Sequence, residues 1–288
     1  MFILKKPEYY FALKNIFRRI KNNGNTGTII TNTIFGRPIE VDASEAIGKS
    51  IMHTGIYDLA LSEILWVLAE KGNTCVDIGA NIGYTSMLMA ERVGSEGSVT
   101  SFEPNPNLLT RLKFNLALYI ASGNIQLNEF ALSDQNGEAF LNIPDQSLHN
   151  DGTASVVLSA NEKSVPIQLK TLDDSINPHV NIDLLKIDVE GHELNVFKGA
   201  IQLLLAKRIK HIVFEENESY PSAVSNFLDE YGYTILRIQK GWIGVELKDP
   251  LSSKPIDAQY EAANYLATLD LEQVQKKLKK IGVYSVLQ

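Results

Sequence analysis

A short apolar run closed by glycine constrains the fold of this chain more than any other segment. Residues 74–79 read Thr-Cys-Val-Asp-Ile-Gly, which is typical of a buried strand, and a helical pattern starts near Gly83. Glycines in such a turn tolerate positive φ angles and let a ligand approach the backbone. The unpaired N–H groups at the start of the helix attract anionic or nucleotide-like ligands. The segment therefore predicts a strand–turn–helix with a ligand site at the end of the strand.

The glycine loop does not match the two common phosphate-binding motifs. From Gly79, the dinucleotide pattern G-x-G-x-x-G requires glycines where Asn81 and Tyr84 stand, and the Gly-Lys-Ser/Thr of a P-loop is missing. Instead, Asp77 precedes the glycines, and its carboxylate would repel a pyrophosphate but suit an ammonium group. Glu103 ends the next predicted strand, where a carboxylate accepts hydrogen bonds from ribose hydroxyls. Ammonium, carboxylate and ribose together describe S-adenosylmethionine.

Strands and helices alternate along most of the chain. Strands are predicted at residues 98–103, 125–132, 182–188, 210–215 and 233–238, and helices at 84–93, 107–119, 193–205 and 222–231. Strands that alternate with helices of this length pair in parallel through crossover helices. The pattern predicts an α/β, Rossmann-like sheet that is mostly parallel, with helices on both faces. Short apolar runs between residues 137 and 170 predict a small β insertion.

The two ends of the chain lie outside this alternation. Residues 1–23 carry six Lys and Arg against one Glu, with apolar residues at helical spacing between them. We interpret this segment as an N-terminal amphipathic helical arm that packs on the main domain or on a partner subunit, with peripheral membrane contact as the alternative. Residues 271–281 predict a solvated terminal helix. We therefore divide the chain into the arm and lead-in segment (1–50), the main domain (51–250) and a C-terminal tail (251–288).

Composition excludes several classes of protein. The chain has 27 Lys and Arg against 34 Asp and Glu, a net charge of −7, whereas nucleic-acid binding requires clustered basic residues. Cys75 is the single cysteine, so no internal disulfide framework is expected. No apolar region typical of a signal peptide follows Lys5 and Lys6, and no run approaches the roughly 18 apolar residues that span a bilayer. We expect a cytoplasmic location and no nucleic-acid partner.

A second motif narrows the prediction to a family. Residues 184–193 read Leu-Leu-Lys-Ile-Asp-Val-Glu-Gly-His-Glu and join a predicted strand to a helix. Together with the loop at 77–85, Phe-Glu-Pro-Asn at 102–105 and Phe-Lys-Gly-Ala at 197–200, this segment resembles the FkbM family of methyltransferases. The resemblance covers residues 50–240. It implies a class I methyltransferase sheet, S-adenosylmethionine as donor and S-adenosylhomocysteine as product, and O-methylation of a saccharide, glycan-like or secondary-metabolite acceptor.

The resemblance also implies which residues bind the donor. The matching positions lie at the ends of three strands and are Asp77, Gly79, Asn81, Gly83, Tyr84, Glu103, Asn105, Phe130 and Ala131. Those in the glycine loop match the part of the family site that holds the methionine moiety. Glu103 matches the ribose-binding acid, and the last two residues match the adenine site.

The end of the second motif supplies the predicted catalytic residues, Asp188, Glu190 and His192. Methyl transfer is an in-line displacement at a sulfonium carbon, so catalysis depends on positioning the acceptor oxygen and excluding water. An alcohol must also lose its proton, which a general base assists. Asp188 and Glu190 would point to one side of an extended strand end, and histidine titrates near neutrality. The alternative for His192 is a structural role at the start of a helix.

Two further alternatives stay open. Glu215 and Glu216 end the next predicted strand and would face the same crevice, where with Asp188 and Glu190 they could hold a divalent cation. A metal is not predicted, but a metal-dependent O-methyltransferase of a small molecule is one alternative. The other is a non-catalytic binding protein that keeps the nucleotide fold, because fold alone does not establish activity. The sequence leaves the acceptor, O- versus N-methylation and the oligomeric state open.

Overall fold

The computed structural model describes residues 26–143, 154–160, 162, 164–241, 244–252, 263–281 and 285–287. The arm predicted at residues 1–23 lies outside these described residues. Within them, no single helix is long and apolar enough to cross a membrane. A bent pair of consecutive helices, Ala46–Thr54 and Leu59–Leu68 with 72° between them, meets that test only when the two are taken together.

Strands and helices alternate through the described residues as the sequence predicts. The strands are β1 (Thr28–Asn32), β2 (Pro38–Asp42), β3 (Thr74–Ile78), β4 (Ser98–Phe102), β5 (Ile125–Asn128), β6 (Ala131–Leu132), β7 (Gly137–Asn142), β8 (Ser155–Val157), β9 (Ser164–Lys170), β10 (Ile182–Ile187), β11 (Ile209–Glu216), β12 (Thr234–Lys240), β13 (Val245–Lys248) and β14 (Ala263–Thr268). The α-helices are α1 (Ala46–Thr54), α2 (Leu59–Leu68), α3 (Tyr84–Val93), α4 (Pro106–Ala121), α5 (Leu172–Ser175), α6 (Glu193–Lys198), α7 (Ile201–Leu205), α8 (Ala223–Glu230) and α9 (Leu271–Ile281).

An eight-stranded central sheet has the order β13-β12-β14-β11-β10-β3-β4-β5. The five strands from β11 to β5 pair in parallel, and the pairings from β11 through β14 and β12 to β13 are antiparallel. The predicted α/β, Rossmann-like sheet is thus confirmed. The predicted β insertion forms a separate four-stranded sheet of order β6-β9-β7-β8, and β1 and β2 form a hairpin.

Alternate residues of the central strands pack into two cores on opposite faces of the sheet. Cys75 and Leu184 pack with α2, α3 and α4 on one face. Val76 and Leu185, the next residues along β3 and β10, pack with α6, α7 and α8 on the other. Such near-continuous apolar strands are expected where both faces of a parallel sheet are covered. The burial fixes the register of the strands and therefore the positions of the polar residues at their carboxyl ends.

Two predicted elements are each divided in the structure. The strand predicted at 125–132 leaves the central sheet after Asn128, because Ala131 and Leu132 pair instead with β9 of the insertion. The helix predicted at 193–205 is interrupted at Gly199, whose backbone packs against the carbonyl oxygen of Ser133. A Cβ atom there would lie 2.0 Å from that oxygen, so the close approach requires glycine.

Residues assigned to the C-terminal tail contribute to the main domain. β14 lies between β11 and β12 in the central sheet. The predicted terminal helix α9 forms, and it is exposed at Lys276 and Lys279 while Val274 on its other side is fully buried in the core. At the other end, Ile39 and Val41 of β2 are also fully buried. The predicted divisions at residues 50 and 250 therefore do not coincide with breaks in the packing.

Candidate active site

Two rows of residues cross the sheet at and just beneath its carboxyl edge. The lower row follows from the strand register and consists of Ser101, Asp77, Lys186 and Val213. Two residues later on the same strands, the upper row consists of Glu103, Gly79, Asp188 and Glu215. Residues two apart along a strand share a face, and all four upper-row residues line one cavity. Lys186 reaches this cavity from the lower row.

The glycine loop runs between two carbonyl groups of neighbouring strands. Gly79 has φ +76°, and a Cβ atom there would lie 1.9 Å from the carbonyl oxygen of Asp188. The N–H groups of Gly79 and Ala80 both donate to the carbonyl oxygen of Phe102 at 3.0 Å. Asn81 and Gly79 line the cavity, and α3 begins at Tyr84 as predicted. The loop therefore requires glycine at position 79 for both its backbone angle and its close approach.

Asp77 lies beneath the loop and is fully buried. Its Oδ2 accepts hydrogen bonds from the hydroxyls of Thr85 at 2.7 Å and Ser86 at 2.6 Å, in the first turn of α3. Its Oδ1 lies 3.5 Å from Nζ of Lys186. Direct contact with a ligand's ammonium group, expected from the sequence, is not available in this structure because no part of the carboxylate is exposed. Asp77 instead fixes the start of α3 against the loop.

Tyr84 and Gly83 support the loop from behind. The Tyr84 hydroxyl is 3.0 Å from Oγ of Ser62 in α2, and its ring is 3% exposed although it lines the cavity. Gly83 has φ +91° and faces the side chains of Leu112 and Leu116. Among the described residues, Gly83 is therefore packed against α4 rather than against the cavity.

Glu103 braces the glycine loop while lining the cavity. Its Oε2 accepts a hydrogen bond from the backbone N–H of Asn81 at 2.8 Å, and its Oε1 accepts one from that of Asn105 at 2.9 Å. Burial raises the pKa of Glu103, although both backbone donors favour the charged form. Asn105 also lines the cavity and caps α4 by accepting from the N–H of Asn107 at 3.0 Å. Both residues thus occupy the positions at the end of β4 that the sequence predicts.

An apolar wall closes the cavity at the end occupied by Phe130. The Phe130 ring meets Phe102 edge to face, with 5.5 Å between centroids, and the ammonium of Lys170 lies 4.4 Å from its centre. Ala131 is 5% exposed and lines the cavity beside it. The insertion continues this wall with Leu132, Leu141, Ala154 and Val156. The sequence predicts the insertion but does not indicate that it borders the site.

Asp188 and Glu190 lie together at the opposite end of the cavity. β10 ends at Ile187, and Glu190 has φ +52°, so the extended geometry expected for this segment is wrong. Both side chains nevertheless line the cavity. Partial burial and the charges of Asp188 and Glu193 raise the pKa of Glu190 to about 7. A carboxyl group in that range can both accept and release a proton near neutrality.

His192 and Glu193 hold the turn that follows Asp188. Nε2 of His192 is 3.0 Å from Oγ of Ser133, and burial lowers the pKa of the imidazole. His192 still lines the cavity. Oε1 of Glu193 accepts hydrogen bonds from the backbone N–H groups of Val189 at 3.1 Å and Gly191 at 3.3 Å. Glu193 therefore stabilises the turn.

Three ionisable residues line the cavity beyond those for which the sequence predicts a catalytic or donor-binding role: Tyr57, Lys186 and Glu215. Burial raises the pKa of Tyr57, and the charges of Asp188 and Glu215 add to this effect. Burial and the charges of Asp188 and Glu190 raise the pKa of Glu215 to about 8. Strand alternation could have identified Lys186, since it stands two residues before Asp188 on the same face.

The two glutamates at the end of β11 face opposite sides of the sheet. Glu215 lines the cavity, whereas Oε1 of Glu216 accepts from the backbone N–H of Glu218 at 3.1 Å. The expectation that both face one crevice is wrong, because consecutive strand residues alternate. Within the part of the chain that the structure describes, no group of three or more His, Cys, Asp or Glu side chains is placed to hold a metal ion.

Comparisons with known proteins identify the family. The family model of the methyltransferase FkbM domain matches residues 77–235. Methyltransferase sdnD of Sordaria araneosa is 29% identical over 198 residues, which cover 58% of this chain and 76% of that protein. Hexuronic acid methyltransferase AglP of Haloferax volcanii is 28% identical over 167 residues, which cover 56% of this chain and 64% of that protein. Since the family match spans more than half of the chain and includes both ends of the cavity, the chain is a methyltransferase and belongs to the FkbM family.

Proposed function

We propose that this chain transfers a methyl group from S-adenosylmethionine to a hydroxyl group of a saccharide or a similar hydroxylated small molecule. The observation that carries the proposal is a single cavity lined at one end by Glu103, Asn105 and Phe130 and at the other by Asp188 and Glu190. The first end offers groups for a nucleoside, and the second offers carboxylates for an acceptor. The glycine loop lies between them.

The donor would lie along the loop. The carboxylate of Glu103 has lone pairs left after accepting from Asn81 and Asn105, and these suit ribose hydroxyls. Phe130 offers an aromatic face for a purine ring. The N–H groups at the start of α3 suit the donor's carboxylate. The reactive sulfonium would then lie near Gly79, beside Asp188.

The acceptor would enter beside Asp188. The hydroxyl oxygen of the acceptor would attack the methyl carbon of the donor. The carbon–sulfur bond would break, and its electron pair would stay on sulfur to give S-adenosylhomocysteine. Asp188 accepts the proton of the hydroxyl during the attack. Glu190, more than a third exposed at the rim, passes the proton on to water. The cavity would further promote the reaction by orienting the donor and the acceptor and by excluding water from the sulfonium.

A saccharide acceptor is supported by the polar character of this end. Tyr57, Asp188, Glu190, His192 and Glu215 together provide donors and acceptors for several hydroxyl groups. AglP, one of the relatives, carries hexuronic acid in its name as the methylated compound. The apolar wall of the insertion lies at the other end of the cavity, where it suits the purine rather than the acceptor.

The test has two stages. Titration calorimetry measures binding of S-adenosylmethionine to the purified chain, and Phe130→Ala should weaken that binding at least about tenfold because the aromatic face is lost. Turnover of methyl-labelled donor is then screened against nucleotide sugars, lipid-linked glycans, free sugars and amines. Asp188→Asn should abolish turnover and leave donor binding within about twofold. Glu138→Gln, on the exposed side of β7, is the matched control. A folded chain that binds no donor would contradict the proposal.

A further inference from the structure

Lys186 is a buried lysine between the glycine loop and the proposed proton acceptor. Its side chain is 4% exposed, and its Nζ donates a hydrogen bond to the carbonyl oxygen of Gly79 at 2.8 Å. The same Nζ lies 3.5 Å from Oδ1 of Asp77 and 3.5 Å from Oδ2 of Asp188. One ammonium group therefore contacts the loop backbone, the acid beneath the loop and the acid at the sheet edge.

The environment of Lys186 keeps it charged despite its burial. Burial alone lowers the pKa of Lys186, but the charges of Asp188, Asp77 and Glu215 outweigh this effect and raise it above its ordinary value. A buried ion pair is a poor way to stabilise a fold, because an apolar residue of similar volume often does as well without desolvating charges. The placement of the ammonium beside the site therefore points to a role in the reaction.

The groups around Asp188 explain why a cation is needed there. Glu190 and Glu193 follow Asp188 in the sequence, and Glu215 is its neighbour on the adjacent strand β11. Asp77 lies in the lower row, and Tyr57 lines the same cavity. Neighbouring negative charges favour the protonated form of a carboxylate, and a nearby cation favours the ionised form. The ammonium of Lys186, 3.5 Å from Oδ2 of Asp188, offsets the negative charge gathered at this edge of the sheet.

We propose that Lys186 is a positioning residue for methyl transfer: its ammonium group contacts both the Asp188 carboxylate at the sheet edge and the Gly79 carbonyl, and so holds the proton acceptor and the donor loop at a constant separation. This inference rests on the proposed function, in which Asp188 takes the hydroxyl proton. It predicts that loss of the ammonium lowers kcat and raises the donor KM, and does not only lower the stability of the fold.

The experiment removes the ammonium in two ways. Lys186→Met keeps the length of the side chain but leaves Asp77 buried without its cation. The double variant Asp77→Asn/Lys186→Met removes both members of the fully buried pair, so the charge of Asp77 is not left without its cation, and Asp77→Asn alone is its reference. Lys71→Met, on an exposed lysine paired with Glu96, is the surface control. For each protein, thermal unfolding, donor affinity, kcat and KM are measured from pH 5 to pH 9.

The proposal predicts a specific pattern. Relative to Asp77→Asn, the double variant should lose about tenfold or more of kcat at pH 7, and its donor KM should rise because the Gly79 carbonyl loses its hydrogen-bond donor. Lys186→Arg keeps the charge and should restore kcat in part, while the donor KM stays raised because guanidinium does not fit the Gly79 carbonyl in the same way.

Several results would overturn the inference. A folded double variant whose kcat and donor KM equal those of Asp77→Asn would show a structural role alone, even with a lower melting temperature. Should neither methionine variant fold, Lys186→Arg decides, and wild-type kcat together with wild-type donor KM in that variant would refute the positioning role. A wild-type chain that binds no S-adenosylmethionine contradicts the proposed function instead, so the two failures are distinguishable.

Discussion

The carboxylate of Glu103 accepts a hydrogen bond from the backbone N–H of Asn81, 22 residues earlier in the chain, at 2.8 Å. A second N–H, that of Asn105, donates to the other carboxylate oxygen at 2.9 Å. The residue predicted to bind a ribose is therefore also the residue that holds the glycine loop. Replacing Glu103 should therefore change two separate quantities: the stability of the free chain and the affinity for the donor.

We expect Glu103→Gln to weaken both the loop and donor binding. A glutamine offers one oxygen where two are used, so one of the two backbone N–H groups would face an amide N–H₂ group instead. The unfolding free energy should fall by about 1–3 kcal/mol, and the donor dissociation constant should rise about tenfold. Denaturant unfolding and calorimetry measure the two effects. Unchanged values for both would refute the bracing role.

Gly79→Ala tests the close approach of two strand ends. Gly72 has a similar positive φ, +82° against +76°, but no heavy atom lies within 4 Å of its added Cβ. Gly72→Ala should therefore cost only the backbone strain of about 1 kcal/mol. Gly79→Ala must also displace the Asp188 carbonyl and should cost more in unfolding free energy and greatly reduce donor binding. Equal costs at the two positions would contradict this account.

The contribution of Glu215 to the stability of the chain should decrease as the pH rises from about 4.5 to about 8. Burial and neighbouring charges raise the pKa of Glu215 to about 8 in the folded chain, from the ordinary 4.5. The folded state thus binds a proton that the unfolded state has released, and this contribution to stability is lost as the pH passes the folded-state pKa.

Glu215→Gln should remove this dependence. At pH 8.5, where wild-type Glu215 carries its charge in the folded chain, the variant should be more stable than the wild type by about 1–3 kcal/mol, since one pKa unit corresponds to about 1.4 kcal/mol. Denaturant unfolding at pH 5 and pH 8.5 measures the difference. Glu138→Gln is the control, since its side chain is exposed on β7. An identical pH dependence in both variants would exclude Glu215 as the source.

Turnover should survive exhaustive chelation. The ammonium of Lys186, 3.5 Å from Asp188, already supplies the positive charge that a divalent cation would bring to this carboxylate. Activity is measured after dialysis against a chelator and again after Mg²⁺, Mn²⁺ or Zn²⁺ is restored. A loss that a metal reverses would favour the metal-dependent alternative.

The carboxyl edge of the sheet was predictable from the sequence because periodicity locates where strands end. Glu103 and Asp188 were placed by this rule, and the structure brings them to one cavity. Strand periodicity does not, however, predict how deeply a side chain is buried below that edge. Asp77 was therefore expected in contact with a ligand, although two hydroxyls from α3 cover its carboxylate.

The order of the strands across the central sheet was the other feature that the sequence did not reveal. β14 comes last among the strands along the chain, yet it lies between β11 and β12. The placement of a late antiparallel strand between two earlier ones leaves no periodic signal, because a strand's apolar pattern reports its burial and not its neighbours. For the same reason, the sequence does not indicate that the four-stranded β insertion forms a wall of the cavity.

The position of β14 has a consequence for the order in which the chain can fold during synthesis. Until residues 263–268 leave the ribosome, the edge of β11, the strand that carries Glu215, has no strand beside it. An open edge of this length and apolar character is a site for pairing with other chains. This edge is thus covered only after residue 268 has been translated, and a nascent chain paused at residue 250 would be prone to edge-to-edge association.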